Sequence, residues 1–173
     1  MKTFYNLLTL ALLILLVGFI LVTLSNKAFS EPVVWGFAGN AVSISITDQQ
    51  SNAWGIEQTT PTKYGLWNFG YLNEGHQGWD KRDGIYATKP FSLDLTSKVE
   101  TSFNIGPYFA ATTVTEKNGV DYLDTYRWDL IAGASISYSL ADQWKVQARW
   151  NHVIFSGKDT DVFLIGIGFS PKQ

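Results

Sequence analysis

From Tyr126 to Leu140 apolar residues fall on every second position: Tyr126, Trp128, Leu130, Ala132, Ala134, Ile136, Tyr138 and Leu140. Arg127, Asp129, Gly133, Ser135, Ser137 and Ser139 occupy the places between, and Ile131 alone breaks the rule. A period of two over this length dictates a β-strand with one apolar and one polar face. The usual strand is about 5–6 residues long. A strand of this length suits a barrel that crosses a membrane.

Composition points the same way. Charged residues make up 16% of the 173 residues, against roughly 25% in ordinary soluble proteins. Aromatic residues make up 15%, a poor composition for a surface facing water and a good one for a surface meeting lipid and headgroups. The net charge of −2 offers no electrostatic case for a nucleic-acid partner. The absence of cysteine excludes thiol chemistry, disulfides and zinc–thiolate sites. No motif calls for a cofactor.

Residues 1–30 stand apart. Lys2 precedes an apolar run from Leu7 to Leu24, and Ala28-Phe29-Ser30 forms a small-x-small site before Glu31-Pro32. This reads as a secretory signal peptide. The apolar run is also long enough to cross a bilayer as an uncleaved helix. Either way the body, residues 31–173, is exported.

The body divides into eight alternating segments, near residues 33–48, 53–60, 64–72, 84–93, 99–114, 126–140, 144–155 and 161–170. In the first, Trp35 and Phe37 have the opposite parity to Val42, Ile44 and Ile46, so a bulge near Gly39-Asn40 is expected. In the fifth, Gly106-Pro107 predicts a bulge or bend, because proline cannot donate to a ladder. Tight joins at 61–63, 96–98 and 141–143 alternate with longer polar joins at 73–83, 115–124 and 156–160. An outer-membrane barrel with both ends in the periplasm must show this parity. The fold class is therefore all-β: an eight-stranded antiparallel up-and-down transmembrane barrel behind an N-terminal hydrophobic signal helix. A soluble lipocalin-like barrel with its apolar face inward has the same alternation. The low charge, the long strands and the placement of Trp35, Trp54, Trp67, Trp128, Trp144 and Trp150 near segment ends favour lipid.

Eight strands enclose a space about wide enough for their own side chains. The polar faces supply Glu100, Asn104, Arg127, Asp129, Lys145, Gln147, Arg149 and Asn151, so both signs of charge are present inside. Unpaired charges there would be costly, which predicts a plugged lumen with paired charges and no conducting pore. A monomer in the outer membrane, meeting lipid or lipopolysaccharide, is expected.

Two clusters carry candidate chemistry. The segment from Leu72 to Gly84 holds Glu74, His76, Asp80, Lys81, Arg82 and Asp83 on the longest expected outer loop. Glu74, Asp80 and Asp83 are candidate cation ligands, and Lys81 and Arg82 suit lipopolysaccharide phosphates. A solvated loop of self-paired charges has the same composition. Calcium-loop spacing is absent, so no metal site is assigned. The second cluster runs from Arg149 to Asp161. His152 shares the parity of Trp144 and Trp150 and should face outward near the outer rim. There it suits a general base, with Ser156 as nucleophile and Asp159 or Asp161 orienting the ring. An interfacial histidine beside an ordinary polar loop fits the same spacing.

Three stretches resemble small outer-membrane barrels of the lipid A 3-O-deacylase, or acyloxyacyl hydrolase-like, group. They are Tyr71–His76 with Arg82-Asp83-Gly84, Gly106-Pro107-Tyr108-Phe109, and Asp161–Phe169. The resemblance implies an ester hydrolase acting on lipopolysaccharide acyl chains, through a His-x-Ser pair on the penultimate strand and an acid on the last. His152 matches the histidine. Ile154 stands where the serine belongs, Ser156 is the next serine, and Asp161 is the nearest acid. Barrels of this kind often end on an aromatic residue, whereas here Phe169 is followed by Ser170-Pro171-Lys172-Gln173.

Overall fold

The computed structural model describes residues 32–44, 50–77, 80–115, 121–154 and 159–171; at 77, 80, 114, 115 and 121–124 it describes the backbone alone. The expected leader lies outside the described residues. Eight strands follow in order: β1 (Val33–Ser43), β2 (Gln50–Thr62), β3 (Gly65–Gln77), β4 (Asp80–Asp94), β5 (Val99–Thr115), β6 (Asp121–Ser139), β7 (Trp144–Ile154) and β8 (Thr160–Phe169). Each pairs antiparallel with its sequence neighbours, and β8 pairs with β1, so the sheet is a closed barrel. Among the described residues there is no helix. The eight-stranded antiparallel barrel expected from the alternation is the architecture observed.

The register sets the width of the interior. Pairing leads from Val33 to Thr59, Asn68 and Thr88, across to Gly106, then to Ile131, Val153 and Thr160, and back to β1 at Ser43, ten residues further along. This stagger tilts the strands, and in an eight-stranded barrel it leaves room for side chains rather than a channel. The residues on that path point inward, among them Val33, Thr88, Ile131, Val153 and Thr160, all buried. The other parity points out: Trp128 is 71% exposed and Ile165 73%. Ile56, Phe69, Ile85, Phe103, Ile136 and Ile167 share that outer wall. An all-round apolar exterior over a partly polar interior is the inverse of a soluble barrel.

Two expectations about irregularities need correction. β1 has no bulge at Gly39-Asn40; its register to both neighbours is continuous. Trp35 and Phe37 instead lie inside the barrel, buried, and Trp35 is no part of an interfacial girdle. The reason lies on β8. Gly168 and Gly166 face inward, and their missing side chains make the space these rings occupy. A Cβ on Gly168 would fall 2.6 Å from the Trp35 ring, and one on Gly166 would collide with Phe37. The two rings stack with centroids 5.8 Å apart.

Nor does Gly106-Pro107 shift the register. Both residues pair normally with Ile131 and Leu130 of β6, and only the bridges to residues 87–88 of β4 are missing. Proline's lost donor thus costs one side of the ladder and leaves the strand straight in its pairing. The bulges fall elsewhere, at Asn73/Gly75 and Thr112/Thr113.

The start of β1, the end of β8 and the tight joins share one end of the barrel. Each join is built by local hydrogen bonds. Thr62 Oγ1 accepts from the Tyr64 amide at 3.1 Å, and Gly65 supplies the positive φ of 93° that this turn requires. Thr96 Oγ1 accepts from the amides of Lys98 and Val99. At the other end the expected long loop over 73–83 is largely ladder. β3 runs to Gln77 and β4 begins at Asp80, because the bulge after Asn73 lets His76 pair with Lys81 and Gln77 with Asp80. β7 ends opposite Leu130, so β6 before Leu130 pairs with β5 alone. Strands β3–β6 therefore continue past the rim on the loop side.

The glycine–aromatic fit is testable. Gly168→Val should destabilise the barrel by about 1–3 kcal/mol through overpacking against Trp35. Combining it with Trp35→Ala should cost less than the sum of the two single changes, read from urea unfolding in detergent micelles.

Candidate functional site

Two charge clusters are built across the lumen. In the first, Arg149 of β7 reaches Glu57 of β2, with Nη1 donating to Oε2 at 2.6 Å, and the Tyr86 hydroxyl of β4 donates to the same oxygen at 2.9 Å. The Arg149 guanidinium also lies over the Phe37 ring at 5.4 Å and the Tyr86 ring at 5.9 Å. Arg149 Nε donates to Asn151 Oδ1 at 3.0 Å. In the second, Arg82 of β4 donates from Nε to Glu74 Oε2 at 2.9 Å, and the Tyr108 hydroxyl donates to Glu74 Oε1 at 2.9 Å. Arg82 also donates to Thr160 Oγ1 of β8. All four charged side chains are nearly inaccessible to solvent. Arg127 and Asp129 form a third pair at 3.1 Å, closer to the loop end.

Glu74 and Arg82 therefore require correction. The sequence reading put them on a solvated outer loop as ligand-binding candidates. They stand in β3 and β4, point into the barrel and hold each other. The bulge at Asn73–Gly75 is held by the Gly75 amide, which donates to Asn73 Oδ1 at 2.9 Å, and by the Gly75 φ of 74°. The other members of that cluster separate. His76 is exposed at the end of β3; Lys81 and Asp83 have the outward parity of β4. The Asp80 side chain lies outside the described residues. Among the described residues no group of three His, Asp or Glu side chains is placed to hold a metal ion.

Glu57 was absent from the expected lumen residues. Its signal was available: Trp54 and Ile56 set the outer parity of β2, which leaves Glu57 inside. Glu74 and Arg82 share the inward parity of Leu72 and Gly84, so extending both strands toward the loop would have placed them too.

The outer rim carries a different arrangement. His152 faces outward from β7 and pairs directly with Asp161 of β8. Its Nδ1 lies 2.9 Å from Asp161 Oδ1, and the Trp150 indole donates to the same oxygen at 2.8 Å. Asp159 Oδ2 is 4.0 Å from His152 Nε2. An acid at Nδ1 fixes a histidine's tautomer and leaves Nε2 as the basic nitrogen. Ile154, two residues on, is exposed on the same face. Ser156 lies outside the described residues. Toward the middle of the wall, an open hollow of about 650 Å³ is lined by Ala38, Ala134, Ala148, Trp150, Phe163 and Ile165.

No family model and no curated protein matches this sequence. Solved structures do share the fold. Neisserial surface protein A (NspA) superposes with a TM-score of 0.69 at 15% identity, over 81% of this chain and 97% of its own. Ail, the attachment invasion locus protein of Yersinia pestis, gives 0.58 at 10% identity, over 83% of this chain and all of its own, 100%. The N-terminal β-barrel domain of Pseudomonas aeruginosa OprF gives 0.52 at 12% identity, over 80% of this chain and 97% of its own. At these identities the likeness is one of fold: a small outer-membrane type of barrel.

The buried pairs make a sharp stability prediction. Arg149→Met alone should cost about 3–5 kcal/mol, because it strands the Glu57 carboxylate in the interior. Adding Glu57→Gln should recover most of that loss in equilibrium unfolding in micelles.

Proposed function

We propose that this protein is an outer-membrane barrel with a plugged lumen and a structural or lipid-interacting role, exported through its N-terminal signal and working as a monomer. The observation that carries the reading is the combination of an apolar outer wall with an interior crossed by paired charges. Trp128, Ile136, Ile165 and Ile167 offer hydrocarbon a continuous partner. The Glu57–Arg149 and Glu74–Arg82 pairs, with Tyr86, Tyr108, Leu72 and Ile131 around them, occupy the place a pore would need. At the loop end His76, Lys81 and Asp83 are among the accessible polar groups that a lipopolysaccharide headgroup would meet.

In cells, the protein should stay with the membrane fraction through a carbonate wash. In planar bilayers it should add no ion conductance. Release by carbonate would overturn the membrane reading, and steady single-channel currents would overturn the plug.

A second reading is favoured by one observation, the 2.9 Å contact between His152 Nδ1 and Asp161 Oδ1 at the rim. In it the chain is a diverged lipid A deacylase-like esterase. His152 acts as general base for Ser156, Asp161 orients the ring, and the acyl chain lies along the wall. Mass spectrometry of lipid A from cells expressing the protein should then show a missing acyl group that His152→Ala restores. An unchanged acyl pattern leaves the structural reading alone.

A further inference from the structure

The two ends of the lumen differ. Toward the loop end, Leu72, Tyr108, Ala110, Ile131, Val153 and Val162 are buried together around the Glu74–Arg82 pair. Toward the tight-turn end Val33 and Trp35 are buried too, but the rest of the lining is largely polar and leaves open space. A chamber of about 330 Å³ opens beside the join at 96–98, lined by Asp94, Lys98, Glu100, Ser137, Ser139 and Lys145. Beneath it lies a smaller cavity of about 30 Å³ that ends on Glu57 and Arg149. Glu100 and Ser137 line both, so the two meet at those residues.

The smaller cavity has a definite chemistry. Four polar atoms on its lining residues have no protein partner: Asn68 Oδ1, Asn104 Oδ1, Gln147 Oε1 and Arg149 Nη2. All four side chains belong to buried residues. Each such group has given up bulk water without gaining a protein partner, which is costly unless a bound molecule satisfies it. Three of these atoms accept and one donates. A halide would satisfy only the guanidinium, and an apolar solute would satisfy none. Water donates to carbonyl oxygens and accepts from the guanidinium at once. A cavity of about 30 Å³ holds one or two water molecules, since about 10–15 Å³ suffices for each.

We infer that the tight-turn half of the lumen is a blind, hydrated vestibule, which takes in small polar solutes as far as Glu100 and Ser137 and water alone beyond them to Arg149, and is sealed there from the loop end. The plug of this barrel is thus one-sided. Its dry part is the layer of Leu72, Tyr108, Ile131 and Val153; its wet part is a binding site for ordered water between Asn68, Asn104, Gln147 and Arg149. The inference goes beyond the proposed function, and it needs only the folded barrel, whatever its outer wall contacts.

The natural chain has no cysteine, so single thiols report access directly. Ser137→Cys sits where the chambers meet, Ser102→Cys lines the inner cavity, and Ser43→Cys is the inward-facing control at the sealed end. All three replacements are nearly isosteric. In the folded protein in micelles, a small methanethiosulfonate should label Ser137→Cys about tenfold or more faster than Ser43→Cys, whose reaction must await local opening. Ser102→Cys, behind a cavity that admits only water, should react as slowly as Ser43→Cys. Placing a tryptophan at the mouth, by Ser139→Trp, should slow labelling at Ser137→Cys and leave Ser43→Cys unchanged. Lys98→Trp serves if the first variant does not fold, as judged by its β-sheet circular dichroism. Equal rates at Ser137→Cys and Ser43→Cys would overturn the vestibule. So would labelling at Ser137→Cys that the mouth tryptophan leaves untouched. Because the readout is taken in micelles, release from membranes by carbonate would sink the proposed location without touching this result.

Discussion

Every backbone amide and carbonyl of a sheet facing hydrocarbon needs a partner in the sheet, and closing β8 onto β1 supplies the last row. The pairing from Val34–Phe169 to Ser43–Thr160 removes both edges at once. Closure also fixes the stagger, and the stagger fixes how much room is left inside. Phe169, at the end of β8, bridges β1 and β7 and packs on Trp144 with ring centroids 4.9 Å apart. Ser170 extends the join, with its amide donating to the Gln143 carbonyl at 2.9 Å.

The narrow interior explains the rest of the lumen. Side chains there must interlock, so glycines on one strand answer aromatic rings on the next, as Gly166 and Gly168 answer Phe37 and Trp35. Gly70 does the same for Tyr86, and Gly84 for Tyr108. Each of those tyrosines then donates its hydroxyl to a buried carboxylate that already holds an arginine. The two clusters repeat one design: a carboxylate, a guanidinium and a tyrosine from three separate strands. The Glu57 triad ties together strands far apart in sequence, and in either triad removing one charged partner leaves a buried charge.

The outer surface follows a different economy. Most of it is a uniform apolar wall. The departure is at the loop-side rim, where Trp150, His152 and Asp161 form one hydrogen-bonded patch on lipid-facing positions. Interfacial indoles and imidazoles are at home where lipid headgroups begin. The patch sets hydrogen-bonded polar groups at the rim, and Trp150 also lines the open apolar hollow beside it.

The alternation from Tyr126 to Leu140 was enough to announce a two-faced strand, and the same alternation along the body was enough to count eight of them. A period of two is a local property, written residue by residue, and no partner is needed to read it. The outward placement of Trp128, Ile136 and His152 followed from it directly. What only the tertiary structure decided depends on which strand lies next to which. Trp35 and Phe37 read as lipid-facing in isolation, and the glycines of β8, more than a hundred residues away in the chain, draw them inside. Glu74 and Arg82 read as loop ligands because strand ends are set by pairing across the hairpin. Glu57 and Arg149 meet through the middle of a closed ring, and no spacing along a chain records which residues face each other across such a ring.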